Sequence, residues 1–234
     1  MPELLDKALA QAAIEMMDPL SRGRSGDLKT ALEALVRLEQ FRRGAPEPLT
    51  GAIHPLALTQ GHLLRSELDL SVHAHTGWQT GAVIADVREL IHINEVCRFV
   101  GGEEVLKATA SALVRALPGT RLLRVHGDCF AALFLPSTGL ELEPEHLERA
   151  NRELRDMAPD LRSRIGSDRP LQWTLSALRL RVLDPPHWIV LGPLLIAEIE
   201  RAHLLARRGL ASGIQERELR MDARVPPAPS TPRE

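Results

Sequence analysis

The sequence predicts an α+β protein with a central, mainly antiparallel sheet and helices packed on it. Three observations carry this. Residues 82 to 87 (AVIADV) make an apolar run of strand length with an acid, Asp86, near its end. Residues 121 to 136 (RLLRVHGDCFAALFLP) read as a β-hairpin. Leu122, Leu123 and Val125 lead into a His126-Gly127-Asp128 turn, where glycine supplies backbone freedom, and Phe130, Leu133 and Leu135 lead out. Helical and strand patterns alternate through the rest of the chain.

Taken in order, residues 1–44 read as a helical extension. Leu4, Leu5, Ala8, Leu9, Ala12 and Met16 repeat at helical spacing, and a loop from Asp18 to Gly26 follows. A second helix is expected from Asp27 to Arg43, with Leu28, Leu32, Leu35 and Phe41 near one face, ended by Gly44-Ala45-Pro46. Such helices must cover their apolar faces on each other, on the main domain or on a second copy. A part that completes the fold and a dimerisation or partner-docking element are equally compatible with the pattern.

The body, residues 45–220, is expected to hold a helix over Pro55–Leu70, the 82–87 strand, a helix over Gly102–Leu117 and the hairpin. A helix over Glu143–Asp156, a strand over Leu171–Leu183, a helix over Leu191–Arg208 and a short strand over Gly213–Leu219 follow. Residues 221–234 form a tail whose end, VPPAPSTPRE, is proline-rich and expected to be disordered.

Composition bounds the function. Of 234 residues, 44% are hydrophobic and 26% charged, as in a soluble globular chain. The net charge of −2 carries no basic excess, so no nucleic-acid partner is expected. The two cysteines, Cys97 and Cys129, are no disulfide framework and fit a reducing compartment. No apolar run is long enough to span a membrane and the first residues lack a signal-peptide pattern, so a cytoplasmic protein is expected. Aromatics are 3% and tyrosine is absent, which leaves the core to Leu, Val, Ile and Ala.

Three segments together resemble the GGDEF domain of diguanylate cyclases. The signature turn, Gly-Gly-Asp/Glu-Glu-Phe, is here His126-Gly127-Asp128-Cys129-Phe130. The upstream motif D-x-D-x-F-K-x-x-N-D-x-x-G-H-x-x-G-D-x-x-L aligns without a gap from Asp86 to Leu106. Asp86, Asn94, Gly102 and Leu106 match, and Glu103 replaces Asp. The opening D-x-L-T-G-L-x-N-R is represented by Glu47 to Pro55, and the later T-x-S-x-G by Thr174 and Ser176. The resemblance runs from about Glu47 to Leu219. It implies a five-stranded, mainly antiparallel sheet flanked by helices, the nucleotidyl-cyclase-like GGDEF fold.

It also implies chemistry. The family's metal ligands fall on Asp86, the backbone carbonyl of Val87, and Asp128, and the implied ion is Mg²⁺. The family's guanine-recognising pair falls on Asn94 and Glu103; a carboxylate there accepts from the guanine N1 and N2 edge. GTP is thus the implied ligand. Taken without the resemblance, Asp128 is a good turn former, Asp86 a solvated strand end, Asn94 a helix cap and Glu103 a first-turn acid.

The departures point away from turnover. The second Asp of the motif is Arg88, the Phe is Leu90, the Lys is Ile91 and the Gly-His pair is Arg98-Phe99. Cys129 replaces the second signature acid and His126 the first signature glycine. Loss of that acid removes a group that activates the attacking 3′-hydroxyl. The C-terminal basic motif is reduced to Arg207 and Arg208 nearby, and the product-inhibition R-x-x-D falls on Leu117-Pro118-Gly119-Thr120, so cyclic di-GMP is not expected to bind by that route. Cys129 reads as a packed residue rather than a nucleophile, and His54, His73 and His75 as surface or loop residues rather than a zinc site.

Three functions fit. The favoured one is a degenerate GGDEF domain without cyclase activity, serving as a regulatory or protein-interaction module in bacterial signalling. It would have a protein partner or self-associate through the N-terminal helices. The others are a GTP-binding sensor with a residual Mg²⁺ site, and an active cyclase condensing two GTP molecules across a dimer.

Overall fold

The computed structural model describes residues 25–59, 63–64, 78–183 and 188–220. The expectations for residues 1–24, for most of the Pro55–Leu70 helix and for the tail fall outside these residues.

Helix α1 spans Ser25–Arg42 and α2 Leu56–Thr59. Strand β1 (Trp78–Val87) enters α3 (Leu90–Ala116), and the hairpin β2 (Arg121–His126) and β3 (Cys129–Phe134) follows. Then come α4 (Pro144–Ile165), β4 (Trp173–Leu183), α5 (Trp188–Arg207) and β5 (Ile214–Arg220). The sheet order is β2-β3-β1-β4-β5. All neighbours are antiparallel except β4 and β5, whose connection runs through α5, as a parallel pair requires.

Strand β1 begins four residues before the expected strand and is buried on both faces, which is why its sequence is apolar without alternation. Side chains still alternate between two cores. Val83, Ala85 and Val87 join Phe130, Phe134, Leu113 and Leu154 on the α3 and α4 side. Ala82 and Ile84 join Leu133, Leu178, Leu195, Ile199 and Leu58 on the α5 side. By the same parity Asp86 and Cys129 project toward α5.

Two helices exceed their expected lengths. Helix α4 runs beyond Asp156, through the solvent-facing Pro159, and buries Leu161. Helix α3 starts at Leu90 instead of Gly102 and is bent at Arg98, whose φ of 60° and ψ of 177° are not helical. The bend folds the first segment back onto the second. A β-carbon on Gly102 would lie 1.9 Å from Asn94 Oδ1, and one on Gly101 2.4 Å from Cys97 Cβ. The glycine pair is therefore needed for close approach, not as a break.

Arg98 stands where the resembling family has glycine, in backbone territory costly for any side chain. Its side chain is exposed. Arg98→Gly is expected to stabilise the fold by about 1 kcal/mol, since relief of strain exceeds the added freedom of the unfolded chain. Urea denaturation checks this; an unchanged or lower midpoint contradicts it.

Candidate functional site

The hairpin turn is a two-residue reversal, with His126 paired to Cys129 and a register shift between Arg124 and His126. Glycine is not required there for positive φ. Neither Gly127 nor Asp128 lies in the left-handed region, and a β-carbon on Gly127 would meet nothing within 4 Å. This corrects the role expected for Gly127: the irregularity in β2 accommodates the reversal.

The turn is braced from a distance. Arg124 donates to the Gly127 carbonyl at 3.1 and 2.5 Å, and to both carboxylate oxygens of Glu47 at 2.9 and 3.0 Å. Glu47 also accepts from the Thr50 hydroxyl. The Ile53 amide donates to the Leu122 carbonyl, and the Arg124 amide to the Ile53 carbonyl, fixing this segment along β2. The motif beginning at Glu47 thus supports the turn. The Val87 amide donates to the Asp128 carbonyl at 3.0 Å, which joins the end of β1 to the turn.

Asp86, Val87, Asp128 and Cys129 therefore meet at one end of the sheet. Asp86 is 2% exposed, so it is no solvated strand end, and its Oδ1 has no hydrogen-bond partner. Burial, and then the charge of Asp128, raise its carboxyl from an ordinary 3.8 to about 6. Asp128 interacts with His126 (Nδ1 to Oδ1, 3.3 Å); this contact lowers the acid and raises the imidazole. Cys129 is 1% exposed, and burial pushes its thiol up, with Asp86 and Asp128 adding to the effect.

His203 on α5 was not foreseen. It is 6% exposed, and its Nε2 lies 3.7 Å from Asp86 Oδ1. Burial, and then the charge of His126, lower its pKa, so it offers Asp86 no cation at neutral pH. Its ring centroid is 6.3 Å from that of His126. The signal was present in the sequence: His203 continues the buried face set by Leu195, Ile199 and Ala202. Arg207, one turn on, acts electrostatically on Asp86, Asp128 and His203.

The guanine-recognition candidates sit on α3. Asn94 is inside the first helical segment and is not its cap; the N-cap is Glu89. Its side chain packs against Gly102, which sets it across the bend from the exposed Glu103. On the same helix Ile91, Phe99 and Val100 face solvent, at 78%, 77% and 71% exposure. Arg88 donates to the Thr174 hydroxyl at 3.3 Å.

Mg²⁺ takes oxygen ligands in near-octahedral geometry. The donors packed beside Asp86 are a thiol and an imidazole, and Asp128 faces His126. The thiol and imidazole suit a softer ion than Mg²⁺, whereas the carboxylates of Asp86 and Asp128 and the Val87 carbonyl, at the same end of the sheet, are the oxygen donors that Mg²⁺ takes.

Comparison with known proteins places the fold. No family profile matches the sequence, and no curated protein matches it either. Solved structures do. The diguanylate cyclase SiaD of Pseudomonas aeruginosa, in complex with its activator SiaC, aligns at 18% identity and a TM-score of 0.54, over 93% of this chain and 79% of that one. A diguanylate cyclase/phosphodiesterase from Caldicellulosiruptor saccharolyticus aligns at 15% and 0.53, over 76% and 96%. The GGDEF domain of DgcB from Caulobacter crescentus, in complex with c-di-GMP, aligns at 16% and 0.52, over 74% and 92%. The chain has a GGDEF-like fold. Among the described residues, no helix is long and apolar enough to cross a membrane.

Proposed function

We propose that this chain is a GGDEF-fold regulatory module that makes no cyclic di-GMP and acts through contact with another protein chain. The observation that carries this is Cys129. It holds the position of the second signature acid, is buried, and has its thiol held protonated first by burial and then by neighbouring carboxylates. A buried thiol, protonated in the metal-free chain, cannot take a proton from a nucleotide 3′-hydroxyl. Exposed Ile91 and Phe99 replace the family's Lys and His and supply no cation for a triphosphate.

Support for protein contact comes from α1, where Leu32, Leu35 and Val36 face solvent in the monomer. Association through this helix would bury them. The SiaD structure, a complex with its activator SiaC, is a precedent for a protein with this fold bound to another protein. One observation favours a second reading, a GTP-binding sensor. Asn94 packs against Gly102, the residue before Glu103, across the α3 bend.

Two measurements on one sample test the proposal. Calorimetric titration with a non-hydrolysable GTP analogue, with and without Mg²⁺, is expected to give no heat. Sedimentation is expected to give a species larger than a monomer that Leu32→Glu/Val36→Glu dissociates. Mg²⁺-dependent heat would favour the sensor. A monomer at all concentrations would remove self-association.

A further inference from the structure

We propose that Asp86, Cys129 and His203 form a zinc site at the end of the sheet. One ligand atom from each lies within 4.8 Å of the other two, and all three residues are buried. They come from β1, β3 and α5, so the site joins elements far apart in sequence. A missing partner is indicated by Asp86 Oδ1, which faces His203 Nε2 at 3.7 Å and is buried with no hydrogen-bond partner. Buried polar atoms left unpaired are uncommon in folded chains.

The donor set selects the ion. A carboxylate, a thiolate and an imidazole are all zinc ligands, and three protein ligands leave a fourth tetrahedral position. Thiolate and imidazole favour Zn²⁺, whereas Mg²⁺ prefers oxygen. Binding displaces the thiol proton to solvent, and the dication then balances Asp86 and the Cys129 thiolate. Tetrahedral bonds of about 2.0–2.3 Å separate ligand atoms by less than the 4.8 Å within which these three fall, and Asp86 Oδ1 and His203 Nε2 stand 3.7 Å apart. The inference goes beyond the regulatory reading and holds whether or not GTP is turned over.

The test uses the full chain after chelator treatment. Zn²⁺ is expected to bind with one-to-one stoichiometry in competition with a chromogenic chelator and to raise the melting temperature, while Mg²⁺ at the same concentration does neither. Co²⁺ is expected to give a thiolate charge-transfer band that Cys129→Ser abolishes and Cys97→Ser leaves intact. His203→Gln is expected to weaken Zn²⁺ by at least tenfold; circular dichroism of the variants establishes that they fold. Absence of stoichiometric binding overturns the site. Binding that survives both Cys129→Ser and His203→Gln places the metal elsewhere and also overturns it.

Discussion

Phe130→Ala is expected to lower the unfolding free energy by about 3–5 kcal/mol. Phe130 is fully buried in β3, opposite Ala85 of β1 and Arg124 of β2. Its surroundings cannot close over a cavity. The chain is only 3% aromatic, and Ala85, Ala110, Ala112 and Ala116 belong to the same cluster. Such small side chains have no length with which to fill the void, which argues for the upper half of the range. The substitution also reaches the signature turn, because the Arg124 guanidinium that braces Gly127 lies 5.8 Å from the Phe130 ring centroid. Urea denaturation measures the change; a loss below about 1.5 kcal/mol would show that the hairpin core repacks around the deletion.

Asp86→Asn is expected to stabilise the metal-free protein at pH 8 and to have little electrostatic effect at pH 4. In the folded chain the carboxyl is raised to about 6 from an ordinary 3.8. The folded state thus disfavours ionisation, and stability is lost as pH rises from about 4 through 6. A shift of this size corresponds to roughly 3 kcal/mol once the group is ionised in both states. Groups facing Asp86 include Asp128 and His126 at the turn, Cys129 on β3, His203 and Arg207 on α5, and Arg88 beyond β1. Burial and Asp128 push the carboxyl up, and Arg207, His126 and Arg88 only partly oppose them. Denaturation with chelator present, at both pH values, reads the effect. An equal gap between wild type and variant at pH 4 and pH 8 would contradict the assignment to ionisation.

The sheet was legible because its signals are local. The apolar run of β1, the hairpin residues and the β4 segment each announce a strand within a dozen residues, and the strand parity of Asp86 and Cys129 follows once β1 is placed. The α3 bend was less legible. Gly101 and Gly102 resemble a helix boundary in sequence, but serve close contact with Cys97 and Asn94 across a strained Arg98. The site was only half legible. Asp86, Asp128 and Cys129 are placed by aligned motifs, whereas His203 lies more than a hundred residues from Asp86 and carries no motif of its own. The Glu47–Arg124 brace spans 77 residues and shows only when β2 is seen beside the Thr50 segment. Contacts between distant elements depend on topology, and periodicity does not encode them.

We propose that Cys129, in place of an acid, leaves this fold without cyclase chemistry. The most direct measurement is mass-spectrometric detection of cyclic di-GMP after prolonged incubation of the purified full chain with GTP, in Mg²⁺ and separately in Mn²⁺. No product above an enzyme-free control is expected, in wild type and in Asp86→Ala/Asp128→Ala alike. Cyclic di-GMP made by the wild type and lost in the double variant would contradict it.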